Sequence, residues 1–170
     1  MTKSSSFAAF TLVELAAVTS ILVVLVSLCI YGYGPALNKV QSSICISQMK
    51  SIHMALSTSF NEKGFWPQPP EDLESQNLES WWINDLASYQ IKPEKWICPT
   101  IKKYLNSKNS IADIKSSYAV SNFDNAPSSP YKWAMQPWLI EVAGMHSLGP
   151  HICFPDGSIQ NMNNLIKNSK

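Results

Sequence analysis

The chain has 170 residues, with 13 basic and 12 acidic side chains for a formal net charge of +1. That length leaves room for one small globular domain beside a membrane span, and excludes two independent cores. Scattered basic residues at near-neutral charge make no electrostatic footprint for nucleic acid. A charged fraction of 15% with abundant Ser and Asn fits an extracytoplasmic surface better than a cytosolic enzyme.

A short polar leader carrying Lys3 is followed by the apolar stretch Phe10 to Tyr33, FTLVELAAVTSILVVLVSLCIYGY, with Glu14 near its start. No charge occurs from Leu15 to Leu37, and at 1.5 Å per residue such a run covers about 34 Å of helix, enough for a bilayer core of about 30 Å. A carboxylate at the edge of a lipid-facing segment costs about 2 to 3 kcal/mol unless it snorkels or meets a cation, so Glu14 predicts a partner. Secretory signals place small residues after a short apolar core, whereas Ala8 and Ala9 precede a long one here. A lipoprotein signal would use Cys29, but Leu28 stands where a small residue is needed. A plain single-span anchor accounts for everything except the order of residues 10–14.

That order, a leader with Lys3, small Ala9, then Phe10-Thr11-Leu12-Val13-Glu14 and an apolar run, resembles the amino terminus of a type IV prepilin or type II secretion pseudopilin. The resemblance implies a leader of residues 1–9 cut by a prepilin peptidase between Ala9 and Phe10, N-methylation of Phe10, and Glu14 as the acid used in assembly. It also implies other pilin or pseudopilin subunits and an inner-membrane assembly platform as partners. Most members of the family carry Gly where this chain has Ala9. Physically, Glu14 could neutralise the terminal ammonium of Phe10 on its own or a neighbouring chain, which makes a charge in a low-dielectric medium far less costly. Lys3 ahead of the first span predicts a cytoplasmic amino terminus, hence a single-pass inner-membrane protein whose C-terminal part is periplasmic or extracellular.

Residues 10–34 thus read as a transmembrane and assembly helix, with Tyr31 and Tyr33 at the membrane interface. Gly32-Tyr33-Gly34-Pro35 is a stretch that can kink a helix without ending it. Over residues 35–63, Leu37, Val40, Ile44, Met49, Ile52, Leu56 and Phe60 recur mostly every three or four residues, predicting an amphipathic second half ending near Lys63 and Gly64. The spacing predicts one long helix whose upper half packs on a small antiparallel sheet, an α+β fold, with residues 64–170 forming the globular domain. His53 has no His or acid four residues away and reads as a surface or capping residue.

Pro67, Pro69 and Pro70 close the helix. Leu73 to Tyr89 reads as a short helical region with Trp81, Trp82, Ile83 and Leu86 available for a core. Ser117 to Ser121 and Trp138 to Val142 read as strands, and Asp124 to Pro130 as a loop. His151 to Met162, HICFPDGSIQNM, reads as a hairpin turned by Pro155-Asp156-Gly157. Asn163 to Lys170 reads as a polar, frayed tail. Pro35, Cys45 and Pro67, the Cys98-Pro99 step, and His146, Gly149, Phe154, Asp156 and Gly157 resemble motifs of a planctomycete- and verrucomicrobia-type pseudopilin-like subgroup, in which a terminal His-x-x-Gly precedes a Phe-x-Asp-Gly hairpin.

Of four cysteines, Cys29 falls in the apolar run, leaving Cys45, Cys98 and Cys153 in an oxidising space. A Cys45–Cys98 disulfide would pin the helix to the globular domain, with Cys153 a buried strand residue; three reduced, buried thiols are the alternative. His146, His151 and Asp156 are the one cluster that could hold a metal, but Asp156 is the expected turn residue. Asn122 to Asn125 offers a single acid, too few for calcium. No C-x-x-C pair, phosphate loop, G-x-S-x-G or H-E-x-x-H motif is present, so no enzyme, metal or cofactor is expected, and the resemblance implies a structural subunit. The competing expectation is a monomeric, single-span anchored module that binds a sugar or peptide through Trp66, Trp81, Trp82 and Trp133.

Overall fold

The computed structural model describes residues 11–102, 114–142 and 149–168. The chain divides into two compact units, Met1–Leu37 and Asn38–Lys170. Helix α1, Leu12–Lys63, contributes to both.

In the first unit the helix is apolar on all sides and its large side chains are exposed, Leu12 at 83% and Ile30 at 71%. Its hydroxyls turn inward on the helix itself: Thr19 donates to the Ala16 carbonyl (3.0 Å), Ser20 to Ala17 (2.8 Å) and Ser27 to Val23 (2.7 Å). These three hydroxyls are thereby satisfied without water, as a hydrocarbon environment requires. Among the described residues this one helix is long and apolar enough to cross a membrane. It continues through Gly32 and Gly34.

In the second unit α1 supplies one layer and a four-stranded antiparallel sheet the other. The strands are β1 (Tyr118–Val120), β2 (Leu139–Glu141), β3 (His151–Cys153) and β4 (Ile159–Asn161), in the order β1-β2-β3-β4. All three pairings are antiparallel, with Ala119 opposite Ile140, Ile140 opposite Ile152 and Ile152 opposite Gln160. Alternation puts Tyr118, Leu139, Glu141, His151 and Cys153 on the buried face. The facing stripe of α1 is Ser42, Cys45, Gln48, Met49, Ile52 and Leu56, buried and, apart from adjacent Gln48 and Met49, spaced three or four apart.

That stripe corrects the expected one. Met49, Ile52 and Leu56 are buried as their spacing predicts, but Val40 and Ile44 are 55% and 41% exposed. Small and polar residues take their place because the sheet face opposite carries Glu141 and His151. Gln48 accepts from the Tyr118 hydroxyl (2.8 Å) and donates to the Ile97 carbonyl (3.3 Å). The Tyr118 phenol is held well above its ordinary range by burial first and the Glu141 charge second.

The segment that joins α1 to β1 contains α2 (Leu78–Asp85), flanked by short 3-10 turns, and contributes to a cluster of aromatic rings. Trp66 meets Trp82, Phe123 and Trp138 edge-on at centroid distances of 6.4, 4.8 and 4.8 Å. Lys63 at the end of α1 pairs with Asp85 at 3.3 Å. Residues Met162–Asn168 form a helix, here α3, where a frayed tail was expected. Asn161 caps it, its side-chain oxygen accepting the Asn163 amide at 3.0 Å. The Met162 amide donates to the Pro150 carbonyl at 2.9 Å.

Candidate functional site

The chemistry of the first unit is concentrated at the amino end of α1. Thr11 precedes the first helical residue, and its amide and hydroxyl donate to Glu14 Oε2 at 2.9 and 2.8 Å. The Glu14 amide donates back to Thr11 Oγ1 at 3.3 Å. This reciprocal pair is a capping box of the pattern Thr-x-x-Glu, which satisfies two otherwise orphaned amides at the helix start. Glu14, expected to need a cation, has this local partner as well, and Thr11 three residues ahead is its signal in the sequence. A carboxylate offers about four lone-pair sites, so the cap leaves acceptor capacity for a cation. Ala9 and Phe10 lie outside the described residues.

In the second unit the ionisable residues converge on the inner face of β2 and β3. The register that pairs Ile140 with Ile152 brings Glu141 opposite His151. Glu141 Oε2 accepts both the His151 amide (3.0 Å) and His151 Nδ1 (2.8 Å). On the other side of the ring, His151 Nε2 lies 3.3 Å from the Ser42 hydroxyl oxygen. The order Ser–His–Glu has the connectivity of an acyl-transfer triad. However, Ser42 and His151 are 5% and 4% exposed, so in this conformation the chain of bonds joins α1 to the sheet and presents no nucleophile.

Cys45 and Cys98 are joined in a disulfide with Cα atoms 5.5 Å apart. Their sulfurs and a Glu141 oxygen all lie within 4.8 Å of one another, a donor set that could hold a metal ion if the thiols were free. The disulfide occupies both sulfurs. Cys153 is a buried thiol of β3, pushed up to about 12 chiefly by burial, while Cys29 is exposed on the apolar helix.

The hairpin between β3 and β4 is tied to α1 by His53, which is half-buried and not a surface residue. Its Nε2–H donates to the Pro155 carbonyl (3.1 Å), and its ring stacks on Trp138 at 4.8 Å. Burial holds its pKa below the ordinary histidine range, opposed by the Pro155 bond and the Asp156 charge. Gly157 has φ +77°, and a Cβ there would lie 3.2 Å from His53 Cε1. Asp156 accepts the Ser158 amide at 2.9 Å, and bonds from Ser158 lower its pKa. His146 lies outside the described residues, so the cluster His146, His151, Asp156 is not assembled among them. Asp156 faces the hairpin turn, while His151 faces Glu141.

Of the four tryptophans considered for sugar or peptide capture, Trp66 and Trp82 are core residues at 0% and 2% exposure and Trp81 is half-buried. Trp66 Nε1 donates to the Ser121 carbonyl at 3.0 Å. Trp133 alone of the four stands out, 63% exposed with Lys132 Nζ 5.8 Å from its ring centroid. These four rings do not form a common groove. No family model, curated protein or solved structure matches this chain.

Proposed function

We propose that this chain is a pilin-like or pseudopilin-like structural subunit, processed by a prepilin peptidase and assembled through α1 into a type IV pilus or a type II secretion pseudopilus. The observation that carries the reading is the Phe10-Thr11-Leu12-Val13-Glu14 start followed by an uninterrupted apolar helix. Its supports are physical. An apolar surface exposed on every side gains packing contacts when neighbouring helices replace lipid, an exchange that has no hydrophobic drive of its own and rests on packing. The Thr11 cap keeps the Glu14 carboxylate at the helix entrance, where the new ammonium of Phe10, on its own or an adjacent chain, would neutralise it.

In this reading Lys3 keeps the leader cytoplasmic, α1 crosses the inner membrane, and the second unit lies outside it with its disulfide in an oxidising compartment. The α+β body is the pilin-like head. The partners are the peptidase, further subunits and the inner-membrane assembly platform. The test is intact mass and amino-terminal fragmentation of the protein purified from membranes that contain the peptidase. The expected species begins at N-methylated Phe10. A chain still beginning at Met1 in those membranes overturns the assignment and leaves a plain anchor.

A further inference from the structure

The Cys45–Cys98 bond joins α1 to the segment that follows α2, and Glu141 of β2 brings a carboxylate to the same place. The two sulfurs and a Glu141 oxygen lie within 4.8 Å of one another, and all three residues are buried, at 0%, 0% and 2% exposure. Two thiolates and a carboxylate suit zinc(II), a borderline-soft ion that accepts sulfur and oxygen together. With Zn–S bonds of about 2.3 Å, a tetrahedral site holds its sulfurs about 3.8 Å apart, inside the span that these three donors occupy.

The frame around the donors has ties of its own besides the sulfur–sulfur bond. Gln48, on the turn after Cys45, accepts from the Tyr118 hydroxyl at 2.8 Å and donates at 3.3 Å to the carbonyl of Ile97, the neighbour of Cys98. Ser117 fastens the other two donors to each other. Its hydroxyl accepts the Cys98 amide at 2.9 Å, and its carbonyl accepts the amide of Val142, the neighbour of Glu141, at 2.9 Å. The Glu141 carboxylate is oriented in turn by the His151 amide and ring, both on Oε2. Carboxylates that ligate metals are themselves hydrogen-bonded in this way. Opening the disulfide therefore exposes two thiols to a carboxylate already aimed at them.

We propose that the reduced chain binds one zinc(II) ion through Cys45 Sγ, Cys98 Sγ and a Glu141 oxygen, so that metal and disulfide are alternative fastenings of α1 to the sheet. These residues supply three of the four donors of a tetrahedral site. The thiols bind as thiolates, so two protons leave for each zinc that enters. The site lies wholly within the second unit and does not depend on processing or filament assembly.

The test uses the full chain in detergent, reduced with a water-soluble phosphine, which adds no competing thiol. The phosphine attacks the disulfide and is oxidised to the phosphine oxide with oxygen from water. The two electrons and two protons end on the Cys45 and Cys98 thiols. Titration with zinc chloride against a chromophoric chelator is expected to give one zinc per reduced chain and none per unreduced chain. Cobalt(II) in its place should show the near-ultraviolet absorption of thiolate-to-metal charge transfer. Glu141→Gln, which keeps an oxygen for the His151 amide, should weaken zinc binding about tenfold or more. Cys45→Ser with Cys98→Ser should lose the site although Cys29 and Cys153 remain. Because a misfolded variant would also bind poorly, the parent supplies an independent readout: zinc should raise the melting temperature of the reduced chain and leave that of the unreduced chain unchanged. Uptake well under one equivalent, or a reduced parent whose melting temperature ignores zinc, overturns the proposal. So does parent-like affinity in either variant.

Discussion

Cleaving the Cys45–Cys98 bond should destabilise the second unit by an amount that follows from chain topology. The two cysteines are 53 residues apart, and a loop of that length removes about 14 cal/mol/K from the unfolded ensemble, equivalent to about 4 kcal/mol at 25 °C. For a unit of this size each kcal/mol moves the melting temperature by about 3 to 4 °C, so reduction should lower it by about 12 to 16 °C. The perturbation is a dithiol reductant or the double variant Cys45→Ser with Cys98→Ser. The assay is thermal unfolding of the detergent-solubilised full chain followed by tryptophan fluorescence. Thiol counting accompanies it: denatured but unreduced protein should take up two alkylations, at Cys29 and Cys153, and reduced protein four. Four alkylations before reduction, or a melting curve indifferent to reductant, would refute the reasoning.

Gly157→Ala forces a left-handed conformation on a side chain that also meets His53, so it should cost about 2 kcal/mol, measured by urea unfolding; an unchanged midpoint would mean the hairpin is not held by His53. The folded-state pKa of His53 lies below its unfolded value, so the unfolded chain binds more protons, and His53-linked stability is complete above about pH 6.5 and lost as pH falls below it. Melting temperature should therefore drop between pH 7 and pH 5 by more in the parent than in His53→Gln, and equal drops would remove His53 as the cause. Acrylamide quenching should be dominated by exposed Trp133, so Trp133→Phe should leave weakly quenched emission; persistent strong quenching would show that the Trp66 cluster is open. Glu14→Gln keeps the capping geometry but removes the charge, and it should leave cleavage intact while reducing filament yield at least tenfold by sedimentation. Parent-like yield would assign Glu14 to helix capping alone.

Those parts of the fold governed by local pattern were readable from the chain. The length of α1 follows from its uninterrupted apolar run and from Gly64 at its end, and the β3–β4 hairpin follows from Pro155-Asp156-Gly157 between two strand-like runs. What was misread depends on partners distant in sequence. Periodicity favoured Val40 and Ile44 as core residues, yet the helix turns Ser42 and Cys45 inward because Glu141 and His151 need polar and small neighbours. Glu141 was indistinguishable from a surface acid until the β2–β3 register placed it against His151. His53 read as a surface or capping residue, and which group it caps was hidden because its partner is a backbone carbonyl about a hundred residues later. In α3 the polar spacing of Asn163 and Asn164 hid a helix capped by Asn161. The Thr11–Glu14 cap, by contrast, is a local pattern, Thr-x-x-Glu at the start of an apolar run, and needs no distant partner.

The covalent tie between Cys45 and Cys98 also determines how the chain would respond to mechanical load. Tension applied between α1 and the carboxyl end runs from Cys45 directly to Cys98, so the loop between them, 53 residues by separation, bears none of it. About 180 Å of contour length is thereby withheld from extension. Under a pull that tears the sheet apart, α2 and its surroundings would remain a closed ring on α1, and the molecule would lengthen only by what lies outside that ring.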